Sequence, residues 1–349
     1  MKVELIGAGE TTQVYESKAS SRLLYSGLKE GADVPYECAT GTCGTCKVKR
    51  ISGEFSWLWA EAPARALLKS TDDFLLCQCA ASTDLKIEVR SKLKPLKAVD
   101  QRPQWLTGEI YAAATVAPGV MTFSVKLSQP ISFMPGQFMV LEFAGIQGGR
   151  AWSMTNQAKF TDTLDFVIKK KPQGLLSDYL FEQENVIGLK ANLFGPIGKA
   201  VYEGELDRDL VCIAGGTGMA GMMSILAAFI ASGAYLRNRA DVFFGVRTPA
   251  DLFFVSELRQ FVEQSKGALK VLVAFSDGPA SAALIAANPL LTFDQGFVHE
   301  VAMRVMEGQF TPKTRAYLAG PPPLVDGALR MLLLKARIPA TEILYDKFG

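Results

Sequence analysis

The sequence has almost no histidine and carries little net charge. Its single histidine, His299, cannot by itself complete a metal-ligand set or a Ser-His-Asp triad. The net charge is +2 over 349 residues and no block of like charge stands out, so nothing indicates a surface for nucleic acid or anionic membrane. No internal repeat or low-complexity tract is visible either. The chain is long enough for two or three ordinary globular domains.

Targeting signals are also missing. The N-terminus, MKVELIGAGE, lacks the apolar core of a signal peptide, so we expect no export and a cytoplasmic location. Residues 211–236 form a run of 26 residues without a charge, long enough for a membrane span. Because the run opens with VCIAGGTG, a buried strand, a Gly-rich turn and a buried helix explain it better. We expect a monomer without a membrane segment.

Three segments with different residue patterns follow one another, and we predict one domain for each. Residues 1–95 open with KVELIG and TTQVYES, read as two strands around GAGE, because Gly7-Ala8-Gly9 lacks the third glycine of a dinucleotide fingerprint. A helix, SSRLLYSGLKEG, follows and ends at Gly31. Residues 96–104 contain proline and mixed charge without periodicity, which is typical of a linker.

The other two segments differ in how strands and helices succeed each other. In residues 105–205, the runs LTGEIYAAATV, VMTFSVKL, GQFMVLEF and LDFVIKK alternate with turn residues, which predicts a small antiparallel β-barrel. In residues 206–349, strands such as LVCIAG, DVFFGVR, LKVLVAFS and RAYLAG alternate with helical stretches. That alternation predicts a parallel sheet covered by helices.

Three of the six cysteines crowd into CATGTCGTC, residues 38–46. Cysteines in a cytosolic chain are more often ligands or free thiols than disulfides. Cys38, Cys43, Cys46 and a distant fourth thiol give C-x4-C-x2-C…C, the plant-type spacing for a 2Fe-2S cluster. Glycines and threonines between the thiols let the backbone wrap closely around such a cluster. A structural zinc site usually needs two C-x2-C pairs, and only one is present.

The fourth ligand is open between two thiols of DFLLCQCAA, Cys77 and Cys79. The segment resembles plant-type ferredoxin domains, whose ligand set commonly ends in L-x-C-Q. Leu75-Leu76-Cys77-Gln78 matches that run, so the resemblance implies Cys77. Cys212 lies in an apolar strand and is interpreted as a buried thiol without a chemical role. The predicted cluster ligands are Cys38, Cys43, Cys46 and Cys77.

The middle segment resembles the flavin domain of the ferredoxin–NADP reductase superfamily. RAWSMTN, residues 150–156, matches the R-x-Y-S-(x)-N element, with MPGQF upstream and a G-x-x-S downstream in the expected order. The resemblance implies that the arginine pairs with a pyrophosphate, the aromatic covers the isoalloxazine and the hydroxyl reaches the flavin N5 region. A helix that opens at the G-x-x-S suits the phosphates. The implied cofactor-binding residues are Arg150, Trp152, Ser153, Asn156, Lys169, Gly174, Ser177 and Phe348.

Two features of this flavin pattern, the aromatic position and the lysine run, differ from the rest. Trp152 stands where tyrosine is usual, which keeps the stacking surface and loses the phenol hydroxyl. The lysines at 169–171 fit either a strand edge near phosphate or an ordinary solvated face.

The last segment resembles the nicotinamide domain of the same superfamily. AGGTGMAG matches G-G-T-G-x-A-P, with Gly221 in place of the proline, and its amides can receive a pyrophosphate. YLAGPPPLV matches Y-x-C-G-P-P-x-M, with Ala319 at the cysteine position. Arg247 is an implied dinucleotide contact, and Asp277, at a strand end, favours NADH because its charge repels a 2′-phosphate. The implied residues are Gly215, Gly216, Thr217, Gly218, Arg247, Asp277, Gly320 and Pro321.

As a whole, the chain resembles the reductase component of bacterial multicomponent oxygenases. The resemblance implies a β-grasp plant-type ferredoxin, an antiparallel flavin barrel and a Rossmann-like nicotinamide domain, with NADH, FAD and a 2Fe-2S cluster. A ferredoxin domain in first place and the near-terminal aromatic argue for FAD rather than FMN. The implied partner is the hydroxylase of an aromatic or alkene monooxygenase or ring-hydroxylating dioxygenase, or its ferredoxin. Catalysis is assigned to Ser153, Asp346 and Phe348.

Two alternatives remain open. The same reductase could serve another acceptor, such as a separate ferredoxin or a deoxysugar dehydratase. A protein of another class, in which the cluster senses redox state rather than conducts electrons, would not need the flavin and nicotinamide motifs.

Overall fold

A computed structural model describes residues 1–99, 102–157, 159–204 and 207–348. Linker positions 100 and 101 and the predicted domain boundary at 205/206 lie outside the described residues. The chain divides into two compact units. Unit 1 comprises Met1–Thr107, Met139–Ala151 and Ala191–Ile197, and unit 2 comprises Gly108–Phe138, Trp152–Lys190 and Gly198–Gly349. The predicted middle segment therefore contributes residues to both units.

The N-terminal segment is a small mixed sheet with one helix, as a β-grasp fold requires. The sheet order is β2-β1-β7-β3-β5, with β1 parallel to β7, and β4 and β6 form a separate ladder. The first hairpin is confirmed, and the helix ends just before Gly31, as predicted. The elements are β1 Lys2–Ile6, β2 Thr12–Glu16, α1 Leu23–Lys29, β3 Lys47–Ser52, β4 Phe55–Trp57, β5 Asp73–Leu75, β6 Cys79–Ala81 and β7 Leu85–Glu88.

The middle segment is a curled sheet in which β8 and β12 pair antiparallel with β9, with the order β11-β10-β13-β8-β9-β12. Apolar side chains of β9 alternate with exposed ones, because one face of such a sheet covers a core while the other meets solvent. The elements are β8 Gln104–Ala117, β9 Val120–Ile131, β10 Phe138–Phe143, β11 Arg150–Ser153, β12 Thr161–Lys169, α2 Leu175–Glu182 and β13 Lys190–Ile197.

The last segment is a parallel sheet of order β17-β16-β15-β14-β18-β19 with helices between its strands. The chain steps outward from β14 to β17 and then returns to the other side of β14. The elements are β14 Asp209–Gly215, α3 Met219–Ala231, β15 Ala240–Val246, α4 Val255–Gln264, β16 Leu269–Phe275, α5 Ala282–Ala287, β17 Thr292–Gln295, α6 Val298–Val305, β18 Thr314–Gly320, α7 Pro322–Leu334 and β19 Ile343–Lys347.

The uncharged run at 211–236 is strand β14, a Gly-rich turn and helix α3, as predicted. Strand β14 is buried on both faces: Leu210 and Cys212 join one apolar cluster, and Val211 and Ile213 join another. Burial on both faces is what a near-continuous apolar strand of a parallel sheet needs. Among the helices of the described residues, none has the length and apolarity to cross a membrane. The predicted fold class is confirmed.

Candidate functional site

The four predicted cluster ligands come together as two close pairs in unit 1. The Sγ atoms of Cys46 and Cys77 lie 3.2 Å apart, although 31 positions separate them in sequence. The Cys43 backbone N–H donates to Cys38 Sγ at 3.4 Å, as does the N–H of Thr40. Cys38, Cys46 and Cys77 are buried and Cys43 is partly exposed. Such a site has one rim open to solvent.

The thiols perturb one another strongly. A hydrogen bond from the Cys43 thiol, together with bonds from Thr42, Thr40 and the Cys43 backbone, lowers the pKa of Cys38 despite its burial. The contact with Cys46, burial and the nearby Cys38 and Cys43 raise the pKa of Cys77. Among the described residues the structure shows no ready-made group of three or more metal-ligating side chains, so the two pairs would have to draw together around a bound metal group. A soft, positively charged metal group such as a 2Fe-2S cluster fits this donor set.

The loop of residues 38–46, the cluster loop, approaches its neighbours so closely that glycine is needed at two positions. Gly41 and Gly44 have φ values of +87° and +77°, in the left-handed region that glycine adopts at no steric cost. A Cβ on Gly41 would lie 2.9 Å from Gln78 Cγ, next to the fourth ligand, and one on Gly44 would lie 2.7 Å from Leu67 Cδ1. Gly41 thus lets the loop approach the segment that carries Cys77, and Gly44 lets it approach Leu67.

The rival thiol, Cys79, lies in the β4–β6 strand pair of the N-terminal segment. It is the first residue of β6, where it pairs with Trp57 of β4. Burial raises its pKa, although a backbone hydrogen bond at Leu75 and the charge of Arg65 act in the opposite direction. The geometry therefore favours Cys77 as the fourth ligand. Cys212 is fully buried in β14 and burial raises its pKa to about 12, which fits the inert role predicted for it.

Arg150, the predicted pyrophosphate partner, also belongs to unit 1. Its guanidinium donates to Gly149 O at 2.9 Å, and burial lowers its pKa. No carboxylate of the described residues pairs with it, so the guanidinium is available for an anion. Its Cζ lies 6.0 Å from the ring centroid of Trp59 in the N-terminal segment. Sequence reasoning missed Trp59, because no spacing or motif links it to Arg150.

In unit 2, aromatic and hydroxyl side chains line the region where the resemblance places the flavin. Trp152 packs edge-on against Phe123, with ring centroids 5.6 Å apart. Phe348 packs edge-on against Phe138, also at 5.6 Å. Ser153 is buried, and a Cβ built on Gly221 would lie 3.5 Å from its Oγ. The strand that carries Trp152 and Ser153 is thus in contact with the first turn of α3.

Three other predicted flavin residues have their side chains engaged with the protein. Asn156 donates to Thr163 O and accepts from the Asp165 N–H, so its amide holds the β11–β12 connection. Ser177 bridges residues 171 and 174 and closes the turn before α2, in which Gly174 precedes the first helical residue. Lys169 forms an ion pair with Asp251 at 3.3 Å. Asn156 and Ser177 therefore shape the backbone in this arrangement, and part of the Lys169 charge is compensated.

The predicted nucleotide residues lie at the carboxyl edge of the parallel sheet. Gly215 ends β14, Gly216, Thr217 and Gly218 form a turn, and α3 begins at Met219. Gly320 ends β18 and Pro321 precedes α7. A Cβ on Gly218 would lie 2.5 Å from Ala319 O, so the two motifs touch. They meet where the strand order reverses, the place at which open α/β sheets bind ligands.

The end of the chain reaches the same edge. Strand β19 pairs with β18, which sets Asp346 opposite Ala319 and Lys347 opposite Gly320. The Phe348 N–H donates to Gly320 O at 3.3 Å. Asp346 is buried, with 7% of its surface exposed. The structure thus brings two of the three residues assigned to catalysis, Asp346 and Phe348, next to the second nucleotide motif.

Arg247 and Asp277 are neighbours farther along this edge. They follow β15 and β16, and the Arg247 Nε lies 3.5 Å from Asp277 Oδ2. The Asp277 N–H also donates to Arg247 O at 2.9 Å. Both side chains are exposed, so either can turn toward a ligand. The resemblance implied a dinucleotide contact for Arg247 and a preference for NADH from Asp277, and the structure adds that each is the other's ionic partner.

His299, by contrast, lies away from these motifs. It is on α6, where its ring packs so near Gly327 of α7 that a Cβ there would lie 2.7 Å from His299 Nε2. Burial lowers its pKa. Among the described residues, this placement gives no partner for a metal-ligand set, and a single histidine could complete neither such a set nor a triad.

Comparisons with known proteins agree with this arrangement. A family model described as a 2Fe-2S iron–sulfur cluster binding domain matches residues 8–82. Models described as an oxidoreductase FAD-binding domain and an oxidoreductase NAD-binding domain match residues 108–202 and 212–330. The three matches fall inside the three predicted domains, whose boundaries themselves stay a prediction. The chain is therefore an NAD-dependent oxidoreductase with an iron–sulfur, a flavin and a nicotinamide domain.

Similar proteins share the whole architecture. The ferredoxin–NAD(+) reductase component of the alkene monooxygenase system of Xanthobacter autotrophicus is 32% identical over 96% of this chain and 97% of its own. Ferredoxin–NAD(P)(+) reductase CarAd of Metapseudomonas resinovorans is 32% identical over 93% and 94%. A solved ferredoxin reductase in carbazole 1,9a-dioxygenase is 30% identical with a TM-score of 0.80, covering 100% of this chain and 99% of that one. The chain belongs to this family of three-domain ferredoxin–NAD(P)+ reductases.

Proposed function

We propose that this protein is the reductase component of an oxygenase system, which oxidises NADH and delivers single electrons to the hydroxylase or its ferredoxin. One observation carries the proposal: the two close thiol pairs and the guanidinium of Arg150, which no carboxylate of the described residues pairs with, belong to the same compact unit. A cluster that only sensed redox state would need no such neighbour. The relatives are reductases of alkene monooxygenase and carbazole dioxygenase systems, which supports an oxygenase as the acceptor.

The residues of the chain would hold three groups. FAD, when bound, converts a two-electron donor into single electrons that a 2Fe-2S cluster can accept. Arg150 pairs with the pyrophosphate, and the free N–H groups at the start of α2 face phosphate. Trp152 and Phe348 present flat surfaces to the ring system, and Ser153 offers a hydroxyl in a buried setting. Cys38, Cys43, Cys46 and Cys77 hold the cluster.

The nicotinamide nucleotide would bind across the reversal of strand order in the parallel sheet. The amides of residues 216–218 and the start of α3 favour its pyrophosphate. Gly320, which has no side chain at the end of β18, would leave room for the nicotinamide to approach, and Pro321 precedes α7. Asp277 accepts hydrogen bonds from the ribose hydroxyls of NADH and repels a 2′-phosphate.

The test is reconstitution with the oxygenase subunits encoded beside the gene. Purified holoprotein and NADH should support product formation by that oxygenase, and omission of the reductase should abolish it. Ferricyanide reduction serves as a control for the flavin domain, since it does not require the cluster. Neighbouring genes for sugar-nucleotide enzymes, with transfer of electrons only to a dehydratase, would contradict the oxygenase assignment.

We also propose that the protein acts as a monomer in the cytoplasm. One chain supplies all four thiols and both nucleotide motifs, so no second subunit is needed to complete either site. Light scattering coupled to size-exclusion chromatography of the holoprotein should give the mass of one chain, 37.8 kDa. A stable dimer that dissociates only with loss of activity would contradict this.

A further inference from the structure

Tyr25 of α1 contacts the cluster loop through its hydroxyl. The ring is 3% exposed, and its hydroxyl donates to Ala39 O at 3.1 Å. Ala39 directly follows the ligand Cys38 and has a φ of +58°, a left-handed conformation that alanine adopts only when its surroundings hold it there. The tyrosine hydroxyl is therefore one of the groups that set the path of the backbone beside the first ligand.

The ring of the same side chain contacts a strand of the predicted flavin domain. Tyr25 stacks on Phe194 of β13 with ring centroids 4.3 Å apart and an interplanar angle of 14°. Trp105 closes the group, with its centroid 5.6 Å from Tyr25 and 5.2 Å from Phe194. All three rings belong to unit 1. Stacked aromatic pairs add to the stabilisation from burial alone, so this contact favours one geometry.

A charged contact runs beside the stack. The Arg22 guanidinium lies 5.3 Å from the Tyr25 ring centroid, and its Nη1 donates to Glu142 Oε1 of β10 at 2.5 Å. Only 18% of the Arg22 side chain and 23% of the Glu142 side chain are exposed. Ion pairs that are this shielded are screened less by salt than surface pairs. Helix α1 is thus joined to β10 by charge and to β13 by aromatic stacking.

We propose that Tyr25 is a positioning residue that fixes the cluster loop against strand β13, with its hydroxyl holding the loop and its ring holding the strand. The inference rests on the proposed function, in which electrons pass from the flavin domain to the cluster. Because electron transfer depends on distance, a displacement of the cluster loop relative to β13 would change its rate. For a tyrosine that only fills the core, loss of its hydroxyl and loss of its stacking partner would not affect the cluster loop and strand β13 separately.

The test separates the two contacts of Tyr25 with two variants. Tyr25→Phe keeps the stack and loses the hydroxyl, whereas Phe194→Leu keeps the hydroxyl bond and loses the stack. Tyr15→Phe is the matched control for the first, because the Tyr15 hydroxyl is equally buried and donates at 3.1 Å to Leu23 O instead of the cluster loop. Phe229→Leu is the control for the second, because Phe229 is fully buried in the core of the nicotinamide domain.

Four readouts on holoprotein follow the two contacts of Tyr25. Tyr25→Phe should shift the EPR signal and reduction potential of the cluster, with Phe194→Leu and Tyr15→Phe unchanged. Phe194→Leu should slow reduction of the cluster after a single mixing with NADH, because the cluster loop is no longer fixed against β13. It should also speed tryptic cleavage after the exposed Lys97, whose N–H donates to Gly31 O at 2.9 Å in the segment after α1. Phe229→Leu should change neither the rate nor the cleavage.

Two results would overturn the inference. One is a cluster EPR signal in Tyr25→Phe that matches Tyr15→Phe. The other is a Phe194→Leu protein with the cleavage and transfer rates of Phe229→Leu. Failure of the proposed function has a different appearance: in the unmodified protein, NADH would reduce the flavin and the cluster would stay oxidised. The EPR and cleavage arms would still test the role of Tyr25 in that case.

Discussion

The cluster site, formed by Cys77 and the loop of residues 38–46, and the nucleotide site at the carboxyl edge of the parallel sheet bind their groups by different means. At the cluster site, four side chains of one type must reach the same small volume, and each position is chemically irreplaceable. At the nucleotide site, backbone amides and the reversal of strand order make the site, and side chains mostly have to stay out of the way. Accordingly, the cluster site retains its complete thiol pattern, whereas the nucleotide site departs from the superfamily pattern at Gly221 and Ala319.

The largest expected effect is loss of the cluster in Cys77→Ser. Serine removes a thiolate that lies 3.2 Å from Cys46 Sγ, and the hard hydroxyl is a poor substitute ligand. Iron content should fall from about two per chain toward zero and the cluster absorbance should disappear. Cys79→Ser is the control and should keep both, because Cys79 lies opposite Trp57 in the β4–β6 ladder. The reverse outcome would move the fourth ligand to Cys79.

The second effect tests whether the nucleotide site depends on space rather than on side chains. Gly218→Ala puts a Cβ 2.5 Å from Ala319 O, and overpacking of this kind costs about 1–3 kcal/mol. The kcat/KM for NADH in ferricyanide reduction should fall strongly, while FAD and iron contents stay unchanged.

Gly221→Ala is the matched control for that variant. Its Cβ would lie at an ordinary contact distance of 3.5 Å from Ser153, and alanine is the better helix residue by about 1 kcal/mol. The variant should keep full activity and unfold at a slightly higher temperature. Equal loss of activity in both variants would contradict the spatial account.

A smaller effect is expected at Asp277, where the nucleotide site is predicted to use a side chain. Asp277→Asn removes the charge that opposes a 2′-phosphate and frees Arg247, 3.5 Å away, to pair with it. The ratio of kcat/KM for NADH to that for NADPH should fall by roughly tenfold, on the scale of one charge-assisted hydrogen bond. Asp294→Asn is the control, because Asp294 pairs with Arg304 at 2.6 Å and carries no predicted nucleotide contact. A ratio near one in the unmodified protein would refute the role of Asp277.

The smallest effect concerns Trp59, which lies over the guanidinium of Arg150. A cation–π contact contributes about 0.5–2 kcal/mol, so Trp59→Leu should weaken FAD binding by a few-fold through the loss of support for Arg150. Trp57→Leu is the matched control, since Trp57 has a comparable contact with Arg65 at 4.8 Å. Fluorescence titration of deflavinated protein with FAD measures both. Equal FAD affinity in the two variants would remove Trp59 from the flavin site.

Much of the fold could be predicted because its patterns are local. Alternating residues, turn residues and short apolar runs predicted three of its features. They are the hairpin of β1 and β2, the helix before Gly31, and the strand–turn–helix of residues 211–236. The spacing of Cys38, Cys43 and Cys46 is local in the same sense. Such features depend on neighbouring residues, whose distances are set by the backbone itself.

Other features depended on contacts between residues far apart in sequence. Spacing alone left Cys77 and Cys79 as rivals, and their positions on either side of a short turn separated them: one beside Cys46 and the other opposite Trp57. The partners of Arg150 and Tyr25 had no signal at all, because Trp59 and Phe194 share no motif or period with them. The same holds for Asp346 beside Ala319, which arises from the pairing of β18 with β19.

By itself, then, the sequence predicted three of the four thiol ligands and, through the resemblance of its motifs, the cofactor classes and the order of the three domains, because these depend on residue types at short range. Only the tertiary structure decided that Met139–Ala151 and Ala191–Ile197 group with the N-terminal segment in one compact unit. Within that unit, side chains of distant segments stack and pair, as at Tyr25 with Phe194 and Arg22 with Glu142. Such contacts are selected by packing of the folded chain, which no stretch of sequence expresses alone.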